Sequence, residues 1–305
     1  MKKIIFLILL ILLSIAIFQI FPVSFSSEEI RFVIPLDENI QITIQRLKKE
    51  NLIKNEKIAS FFLLKIEPGA YQLNKNFWLF QTANILLYHP YQKWIILRPG
   101  LRKEQIAEIL ADKFNWDVLV EKEFLDNAPE GYLFPDTYLL NVDYSGKEFA
   151  QKLINNFNEK FDAQLQKDLL TQDIRNDTAI KIASLIERES GSLEDKAIIS
   201  GIIWNRLNDD MKLQIDAATQ YVIGTRGNWW PKVKPQDHKT ESFYNTYIHK
   251  GLPPGPIANP SLDSIRAAVY PAKTDCFYYL HDAGKQIHCA KTYEGHLENI
   301  NNYLK

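Results

Sequence analysis

The chain begins with an uninterrupted apolar run. Residues 4–25 contain no charged side chain, and Lys2 and Lys3 precede them. A helix adds about 1.5 Å per residue, so this run is long enough for the ~30 Å hydrocarbon core of a bilayer. Because basic flanks stay in the cytoplasm, the pattern predicts a single transmembrane anchor at 4–25 after a cytoplasmic tip at 1–3. A cleaved signal peptide is the alternative, although the run is longer than such segments and lacks an A-x-A-like end.

After the anchor, the spacing of apolar residues alternates between strand-like and helical. Residues 30–34 and 94–97 predict strands. Apolar positions at helical spacing predict helices over 40–52, 56–66, 77–88 and 101–114. We expect residues 29–95 to form a small α/β subdomain and residues 96–305 to form a larger domain of mixed α+β structure.

The larger domain is predicted to be mostly helical, with one hairpin near its end. Residues 178–189 and 193–207 show helical spacing on either side of Ser190-Gly191-Ser192. Residues 224–243 show neither helical nor strand-like spacing of apolar residues and are predicted to form a loop. A loop of this length in a compact domain is usually functional or mobile. Residues 276–280 and 286–290 flank a turn and predict a β-hairpin. The fold class is therefore α+β.

Composition and charge narrow the range of partners. The 305 residues are 46% hydrophobic and 24% charged, as in an ordinary globular protein. The net charge of −1 provides no positive field for phosphates, so we expect no nucleic-acid partner. Neither G-x-x-x-x-G-K-[ST] nor G-x-G-x-x-G occurs, and the sequence gives no support for a nucleotide or another cofactor.

One carboxylate lies on the apolar face of a predicted helix. With about 100° per residue, Glu189 falls within about 20° of Ile182, in the middle of the apolar stripe. Glu187 falls on the polar flank and is predicted to be a solvated surface charge. Glu189 must therefore be desolvated or open into a cleft, and both burial and the helix C-terminus raise the pKa of a carboxyl group.

A carboxyl group that stays protonated near neutral pH is suited to general-acid catalysis. The structural alternatives for Glu189 are that the helix frays there, or that Arg188 or Lys196 pairs with it. Glu187 points away and is a poor second carboxylate for a glycosidase, which needs two about 5–10 Å apart. Asp216 is the other nearby candidate.

An ordered set of short motifs extends over much of the chain. It comprises Glu130-Gly-Tyr-Leu-Phe-Pro-Asp-Thr-Tyr138, Ile182-Ala-Ser-Leu-Ile-Glu-Arg-Glu189, Asn205-Arg-Leu207, Met211-Lys-Leu-Gln-Ile-Asp216, Tyr221, Tyr244-Asn-Thr-Tyr247, Gly251-Leu-Pro-Pro-Gly-Pro-Ile-Ala-Asn-Pro260, Ala267-Ala268, Pro271, His288, Thr292 and His296. Glu189-Ser190-Gly191 resembles the Glu-Ser motif of lysozyme-like lytic transglycosylases. In this order and spacing, the set resembles the YceG-like endolytic murein transglycosylases, also called the MltG family. The resemblance covers nearly the whole chain.

The resemblance implies an enzyme of the bacterial inner membrane with an extracytoplasmic catalytic domain. It implies a LysM-like subdomain at 29–95, a lysozyme-like catalytic domain at 96–305, and peptidoglycan glycan strands as substrate. The family's catalytic glutamate maps onto Glu189. Peptidoglycan synthases of the elongation or division machinery are possible partners. The chain departs from the family pattern in two places. Asp216-Ala-Ala218 ends in alanine where the family often has threonine, and Asn259-Pro-Ser261 ends in serine where the family often has glycine.

The expected reaction cleaves the β-1,4 bond between N-acetylmuramic acid and N-acetylglucosamine and leaves a 1,6-anhydro end. Glu189 would act first as acid and then as base, with no metal. Candidate substrate contacts are Gln214, Asp216, Tyr244, Asn245 and Thr246, each with a turn or capping role as the alternative. A non-catalytic peptidoglycan-binding or division-scaffold module is the alternative function, and a hydrolase that releases reducing ends is a third.

Three further features stay open from the sequence. Trp229 and Trp230 either stack on sugar rings or fold back into the core. His288 and Cys289 are adjacent on a predicted strand and point to opposite faces, which argues against a metal site. Cys276 and Cys289 lie on the two arms of the predicted hairpin, and its register decides whether they form a disulfide.

Overall fold

The computed structural model describes residues 2–304, without the side chains of residues 2, 3, 9, 11–13, 15 and 16. The chain forms two compact units. One contains the residues up to Ile95 together with Thr137–Tyr144, and the other contains Ile96–Asp136 and the residues from Ser145 onward. Residues 137–144 thus belong to the first unit, whereas the sequence predicts them in the second domain. Both units mix helices and strands, which confirms the α+β class.

The first unit is built on a four-stranded sheet with the order β1-β2-β3-β4. Strand β2 pairs antiparallel with β1, with Ile30 opposite Leu73, and with β3, with Gly69 opposite Lys93. In chain order its elements are α1 (Lys2–Ile20), β1 (Glu29–Ile34), α2 (Ile40–Lys49), α3 (Glu56–Phe62), β2 (Gly69–Asn74), α4 (Leu79–Tyr88), β3 (Gln92–Ile96) and β4 (Thr137–Asn141).

Local sequence explains where the helices of this unit begin. The side chains of Asn39 and Asn55 accept hydrogen bonds from the backbone N–H of the third residue of α2 and of α3, as N-capping residues do. The helices then bury their apolar faces against the sheet, in a core that includes Phe32, Leu47 and Leu73. Strand β4 was not predicted, because its five residues lie far along the chain from the rest of the unit.

Helix α1 carries exposed apolar side chains, among them Ile4, Phe6 and Ile8. Within residues 2–304, no helix is both long and apolar enough to cross a membrane. The transmembrane anchor at 4–25 is therefore not confirmed and stays a prediction, as does the LysM-like character of residues 29–95. Of the predicted cytoplasmic tip at 1–3, Met1 lies outside the described residues.

The second unit is mainly helical. Its strands form one antiparallel hairpin, which confirms the hairpin predicted at 276–290. Its elements are α5 (Lys103–Phe114), α6 (Val118–Asn127), α7 (Gly146–Lys160), α8 (Ala163–Thr171), α9 (Asn176–Glu189), α10 (Asp195–Asn208), α11 (Asp216–Ile223), a 3-10 turn (Asp237–Lys239), α12 (Leu262–Val269), β5 (Tyr278–His281), β6 (Ile287–Ala290) and α13 (Tyr293–Tyr303).

Helix α9 forms the centre of this unit. Its residues from Ile182 to Ile186 are all buried, so the helix is covered on every side and not only along its apolar stripe. Helices α10 and α12 pack directly against it. Because no face of α9 is left to solvent over these turns, the polar residues at its end must find their partners within the protein.

The prediction of a solvated Glu187 is wrong. Its carboxylate accepts hydrogen bonds from the backbone N–H of Ser261 at 2.9 Å and from the hydroxyl of Ser264 at 2.6 Å, and the ammonium of Lys196 lies 3.1 Å away. Burial acts to raise the pKa of Glu187, but these donors together lower it below its usual range. The helical wheel failed here because Ser261 caps α12 at this point and brings buried donors to the polar flank.

Asn259 joins segments that lie far apart in the sequence. It is 1% exposed, and its side-chain oxygen accepts hydrogen bonds from the N–H groups of Gly131 and Leu133 at 3.0 and 2.9 Å. Its side-chain amide donates to the carbonyl oxygen of Leu101 at 3.0 Å and to Glu130 at 2.8 Å. The proline-rich segment at 251–260 thus has a structural role through this residue.

Glu130 is a carboxyl group held within this cluster. It also accepts from the backbone N–H of Lys103, at the start of α5. Burial, with a smaller contribution from the nearby charge of Glu104, raises the pKa of Glu130 to about 8, although the Lys103 N–H and the charge of Arg102 oppose the rise. The folded protein therefore binds a proton at Glu130 more tightly than the unfolded chain does.

We expect Glu130→Gln to reduce the loss of stability at alkaline pH. Glu130 makes its full contribution to the free energy of unfolding below its ordinary pKa of 4.5. This contribution is lost as pH rises toward about 8, at about 1.4 kcal/mol per pH unit. Glutamine stays neutral and keeps an oxygen for Lys103 and Asn259, so its free energy of unfolding should exceed that of the wild type at about pH 9. Urea unfolding across pH measures this difference. The exposed Glu159→Gln is the control, and parallel curves for Glu130→Gln and the wild type would contradict the interpretation.

Candidate active site

A cavity of about 410 Å³ opens in the second unit, and Glu189 lies in its wall. Helix α9 contributes Glu189 and α10 contributes Arg206. The segment before α11 contributes Gln214, and α11 contributes its first residue, Asp216. Aromatic rings form much of the remaining wall: Tyr247, Tyr278, Tyr279, His281, Tyr293 and His296. A cavity with a few polar groups among aromatic side chains is the usual form of a ligand site.

Glu189 is the last residue of α9, which ends because Ser190 has an extended conformation. The hydroxyl of Tyr279 donates a hydrogen bond to Glu189 Oε2 at 2.8 Å. Burial raises the pKa of Glu189, and the negative charge of Asp216 adds to the rise. Hydrogen bonds from Tyr279 and from the backbone N–H of Ala217, and the proximity of His281, act in the opposite direction. The surroundings thus favour a protonated carboxyl group while providing donors for the carboxylate.

The alternatives weighed for Glu189 do not hold in this structure. Lys196 pairs with Glu187 instead. The guanidinium of Arg188 lies 3.8 Å from the ring centre of Trp230. Glu189 is still within the helix rather than beyond a frayed end, and it lines the cavity as the helical wheel predicted.

The segment before α11 is held by a buried threonine. The hydroxyl oxygen of Thr246 accepts a hydrogen bond from the N–H of Ile215 at 2.9 Å, and its carbonyl oxygen accepts from the N–H of Gln214 at 3.1 Å. Gln214 has φ 51°, in the left-handed region, so this backbone is sharply turned. The turn leaves the exposed Gln214 side chain in the cavity wall.

Asp216 lines the same cavity as Glu189 and belongs to a polar network. One of its oxygens accepts a hydrogen bond from the hydroxyl of Tyr247 at 2.7 Å, and Nε2 of His238 lies 3.2 Å from the same oxygen. The His238 ring stacks on Tyr247 with centres 3.8 Å apart. Asp216 remains largely exposed, so it is both held in place and available to a ligand.

The structure brings together only part of the predicted site. Gln214 and Asp216 line the cavity with Glu189, whereas Tyr244, Asn245 and Thr246 do not. Tyr244 packs against Tyr221, with ring centres 5.0 Å apart. Asn245 is fully buried, and its side-chain oxygen accepts from the N–H of Tyr247 at 3.0 Å. Asn245 and Thr246 therefore support the wall of the cavity from behind.

Sequence reasoning missed the roles of Tyr279, Tyr247 and Arg206. Arg206 is 8% exposed and donates hydrogen bonds of 2.6 Å to the carbonyl oxygens of Phe277 and Leu213, so it joins two sides of the cavity. Arg206 and Tyr247 stand within motifs of the family pattern, which is a usable signal. The contact of Tyr279 depends on the position of the hairpin, which the sequence does not give.

Contacts within the second unit show where the two tryptophans and the two cysteines lie. The indole N–H groups of Trp229 and Trp230 donate to Glu108 and Gln105 of α5, at 3.0 and 2.8 Å, so both rings are folded back on the protein. Cys276 and Cys289 form a disulfide with their Cα atoms 5.9 Å apart. Across residues 2–304, no three or more histidine, cysteine or acidic side chains are grouped so that they could hold a metal ion.

Comparison with known proteins matches this chain to one protein family and to several named relatives. The model of the YceG-like family matches residues 32–302. A Bacillus subtilis (strain 168) protein named endolytic murein transglycosylase is 28% identical, with 92% of this chain and 86% of the relative aligned. A Streptococcus pneumoniae (serotype 2, strain D39) protein of the same name is 32% identical over 56% of this chain. The match spans 31% of that longer relative.

A solved structure shares the fold over most of the chain. The crystal structure of a YceG-like protein from Listeria monocytogenes superposes with a TM-score of 0.58 at 26% sequence identity. The match covers 90% of this chain and 99% of the Listeria chain.

We expect Asp216→Asn to lower the pKa of Glu189, because it removes a negative charge that disfavours the carboxylate. Titration of ¹³C-labelled glutamate by NMR measures this directly, with the Glu189 signal assigned by its loss in Glu189→Gln. Asp210→Asn, at a position exposed to solvent, serves as the control. An unchanged or raised pKa in Asp216→Asn would show that Asp216 does not act on Glu189.

Proposed function

The chain belongs to the YceG-like family, and on this basis we propose that it is an endolytic lytic transglycosylase of peptidoglycan. Its substrate would be a glycan strand, cut at the β-1,4 bond between N-acetylmuramic acid and N-acetylglucosamine. The relatives from Bacillus and Streptococcus bear the name of this activity. The observation that carries the proposal is the position of Glu189, a carboxyl group with a raised pKa in the wall of an open cavity.

In the first step, protonated Glu189 donates its proton to the glycosidic oxygen, and the bond from that oxygen to the anomeric carbon breaks. Burial supports this role because it raises the pKa of the Glu189 carboxyl group and so favours its protonated form. The positive charge at the anomeric carbon is stabilised by the 2-acetamido group of the same sugar. The departing strand leaves with a free hydroxyl group at its new end.

In the second step, the Glu189 carboxylate removes the proton from the muramyl 6-hydroxyl group. That oxygen then bonds to the anomeric carbon and closes the 1,6-anhydro ring. Glu189 regains its proton, and no water is consumed. The donors from Tyr279 and Ala217 support this step because they stabilise the carboxylate between the two proton transfers.

Gln214 and Asp216 are the proposed polar contacts to the sugar, since both side chains reach the cavity. The tyrosine rings of the wall offer surfaces for sugar faces. For Asn245 and Thr246 the proposal changes from direct contact to support, because both are buried behind the wall. Tyr244 lies outside the cavity lining and packs against Tyr221, so it is no longer proposed as a direct contact to the sugar.

We also propose that residues 4–25 hold the protein at the cytoplasmic membrane, with both compact units on its outer side. The run has no charge, and its described side chains from Ile4 to Ile8 are exposed. The Cys276–Cys289 disulfide supports an oxidising compartment outside the cytoplasm. Peptidoglycan synthases that act on the same strands are proposed as partners.

Full-length protein in detergent, incubated with purified peptidoglycan, is expected to release muropeptides with 1,6-anhydro ends, lighter than hydrolysis products by one water. Glu189→Gln is expected to lower this rate by at least about 100-fold, because the amide cannot transfer the proton. Mass spectrometry of the products checks both. Glu194→Gln, an exposed neighbour, is the matched control.

Other products would favour other functions. Reducing ends would indicate a hydrolase, in which water attacks and Asp216 is the first candidate to activate it. Binding to peptidoglycan without cleavage by the full-length protein would favour the scaffold module. Equal activity of Glu189→Gln and the wild type would remove Glu189 from the mechanism.

Deletion of residues 4–25 is expected to move the protein from the membrane fraction to the soluble fraction, because the deleted run supplies the exposed apolar side chains of α1. Fractionation of cells, with an alkaline carbonate wash of the membranes, measures this. A full-length protein that is already soluble would contradict the proposed location without affecting the proposed activity.

A further inference from the structure

The hairpin of β5 and β6 carries residues of the cavity wall and is closed by a disulfide. Its four residue pairs run from Tyr278 opposite Ala290 to His281 opposite Ile287, and no other strand joins this sheet within residues 2–304. A two-stranded hairpin is marginally stable by itself. The Cys276–Cys289 bond links its two arms at the end away from the turn.

Tyr279 connects this hairpin to Glu189. In the register of the two strands, Tyr279 is paired with Cys289, so the tyrosine lies directly beside the covalent link. Its hydroxyl donates to Glu189 Oε2 at 2.8 Å. A tyrosine hydroxyl has a single hydrogen, and here that hydrogen is given to Oε2. This bond disfavours a proton on Oε2 and directs a proton carried by Glu189 to the other oxygen, Oε1, while the Ala217 N–H is a second donor to the carboxyl group.

We propose that Tyr279 is a positioning residue for Glu189: its hydroxyl fixes Oε2, so that Oε1 carries the transferred proton, and the Cys276–Cys289 disulfide holds the tyrosine in that place. The inference rests on the proposed transglycosylase function and adds how its catalytic group is oriented. Tyr279 acts through Glu189 and not on the substrate.

The chemistry of Tyr279 suits this role. Burial and the adjacent Glu189 raise the pKa of Tyr279 well above its ordinary value, so its hydroxyl remains a donor over the whole working pH range. Helix α10 holds the beginning of its strand, through hydrogen bonds from Asn205 to the carbonyl oxygen of Cys276 and from Arg206 to that of Phe277. The second arm, β6, is joined to this arm by the ladder and by the disulfide.

The other ionisable groups around Glu189 are distinct from Tyr279. Those that interact with the charge of Glu189 are Arg188 on the same helix, Arg206 of α10, Asp216 of α11, Tyr247, and His281 of β5. Tyr278 of β5 and both Tyr293 and His296 of α13 line the same cavity. Of these and Tyr279, only Tyr279 has a side-chain hydrogen bond to the Glu189 carboxyl group. Removing the Tyr279 hydroxyl therefore changes one donor and leaves the surrounding charges as they are.

The first test is the pH dependence of kcat and KM for full-length Tyr279→Phe on purified glycan strands. Loss of the donor disfavours the carboxylate, so the alkaline limb of kcat/KM should move upward by about one pH unit. We expect kcat to fall about tenfold, because Glu189 is no longer oriented, with KM unchanged. A profile that superimposes on that of the wild type, or a loss confined to KM, would overturn the proposal. Tyr303→Phe, outside the cavity, is the control.

The second test opens the disulfide. A water-soluble phosphine takes up an oxygen from water as it reduces the sulfur–sulfur bond to two thiols, which are then alkylated. After reduction of the wild type, we expect the alkaline limb of kcat/KM to move in the same direction as in Tyr279→Phe, but by less. In Tyr279→Phe, reduction should change the profile no further, because the contact is already absent. If reduction impairs both proteins equally, the disulfide does not act through Tyr279.

A readout that does not need activity separates this inference from the proposed function. NMR titration of Glu189 should show a higher pKa in Tyr279→Phe than in the wild type, even if no anhydro product is ever found. An unchanged pKa would refute the positioning role, whether or not the protein is a transglycosylase.

Discussion

Burial of helix α9 on all sides is the constraint on which the second unit depends. A helix in this position ends inside the protein, so each charged side chain in its last turn needs a partner or a cavity. Glu187 obtains hydroxyl, amide and ammonium donors, and its pKa falls. Glu189 obtains fewer donors beside an open cavity, and its pKa rises. Two glutamates that are two residues apart thus have opposite pKa shifts, and the difference comes from the elements packed against them.

The proposed mechanism needs a carboxyl group that is stable in both protonation states. Burial and Asp216 favour the acid, and Tyr279 and the Ala217 N–H favour the carboxylate. These groups come from α11 and the hairpin, which are held in turn by Thr246 and Arg206. Thr246 and Arg206 therefore hold the elements whose groups act on Glu189, as is typical of a site that is organised before its ligand arrives.

Periodicity was sufficient to predict α9, α10 and the terminal hairpin, and to predict that Glu189 is desolvated or opens into a cleft, since each depends on neighbours in sequence. It was insufficient for Glu187, whose donors come from α12, and for β4, which completes a sheet begun about a hundred residues earlier. Tyr279 could not be found for the same reason, because its distance to Glu189 is set by how the hairpin docks. Motif resemblance identified the family but did not separate the cavity residue Gln214 from the supporting residues Asn245 and Thr246.

The cluster at Asn259 also has a consequence for how the chain folds. Its side chain bonds to Glu130 and Leu101, 129 and 158 residues earlier. Contacts of such long sequence separation form slowly, since a long loop must close before they contribute. The second unit therefore cannot complete this cluster until Asn259 itself has been synthesised, so the segments around Leu101 and Glu130 gain these contacts late in chain synthesis.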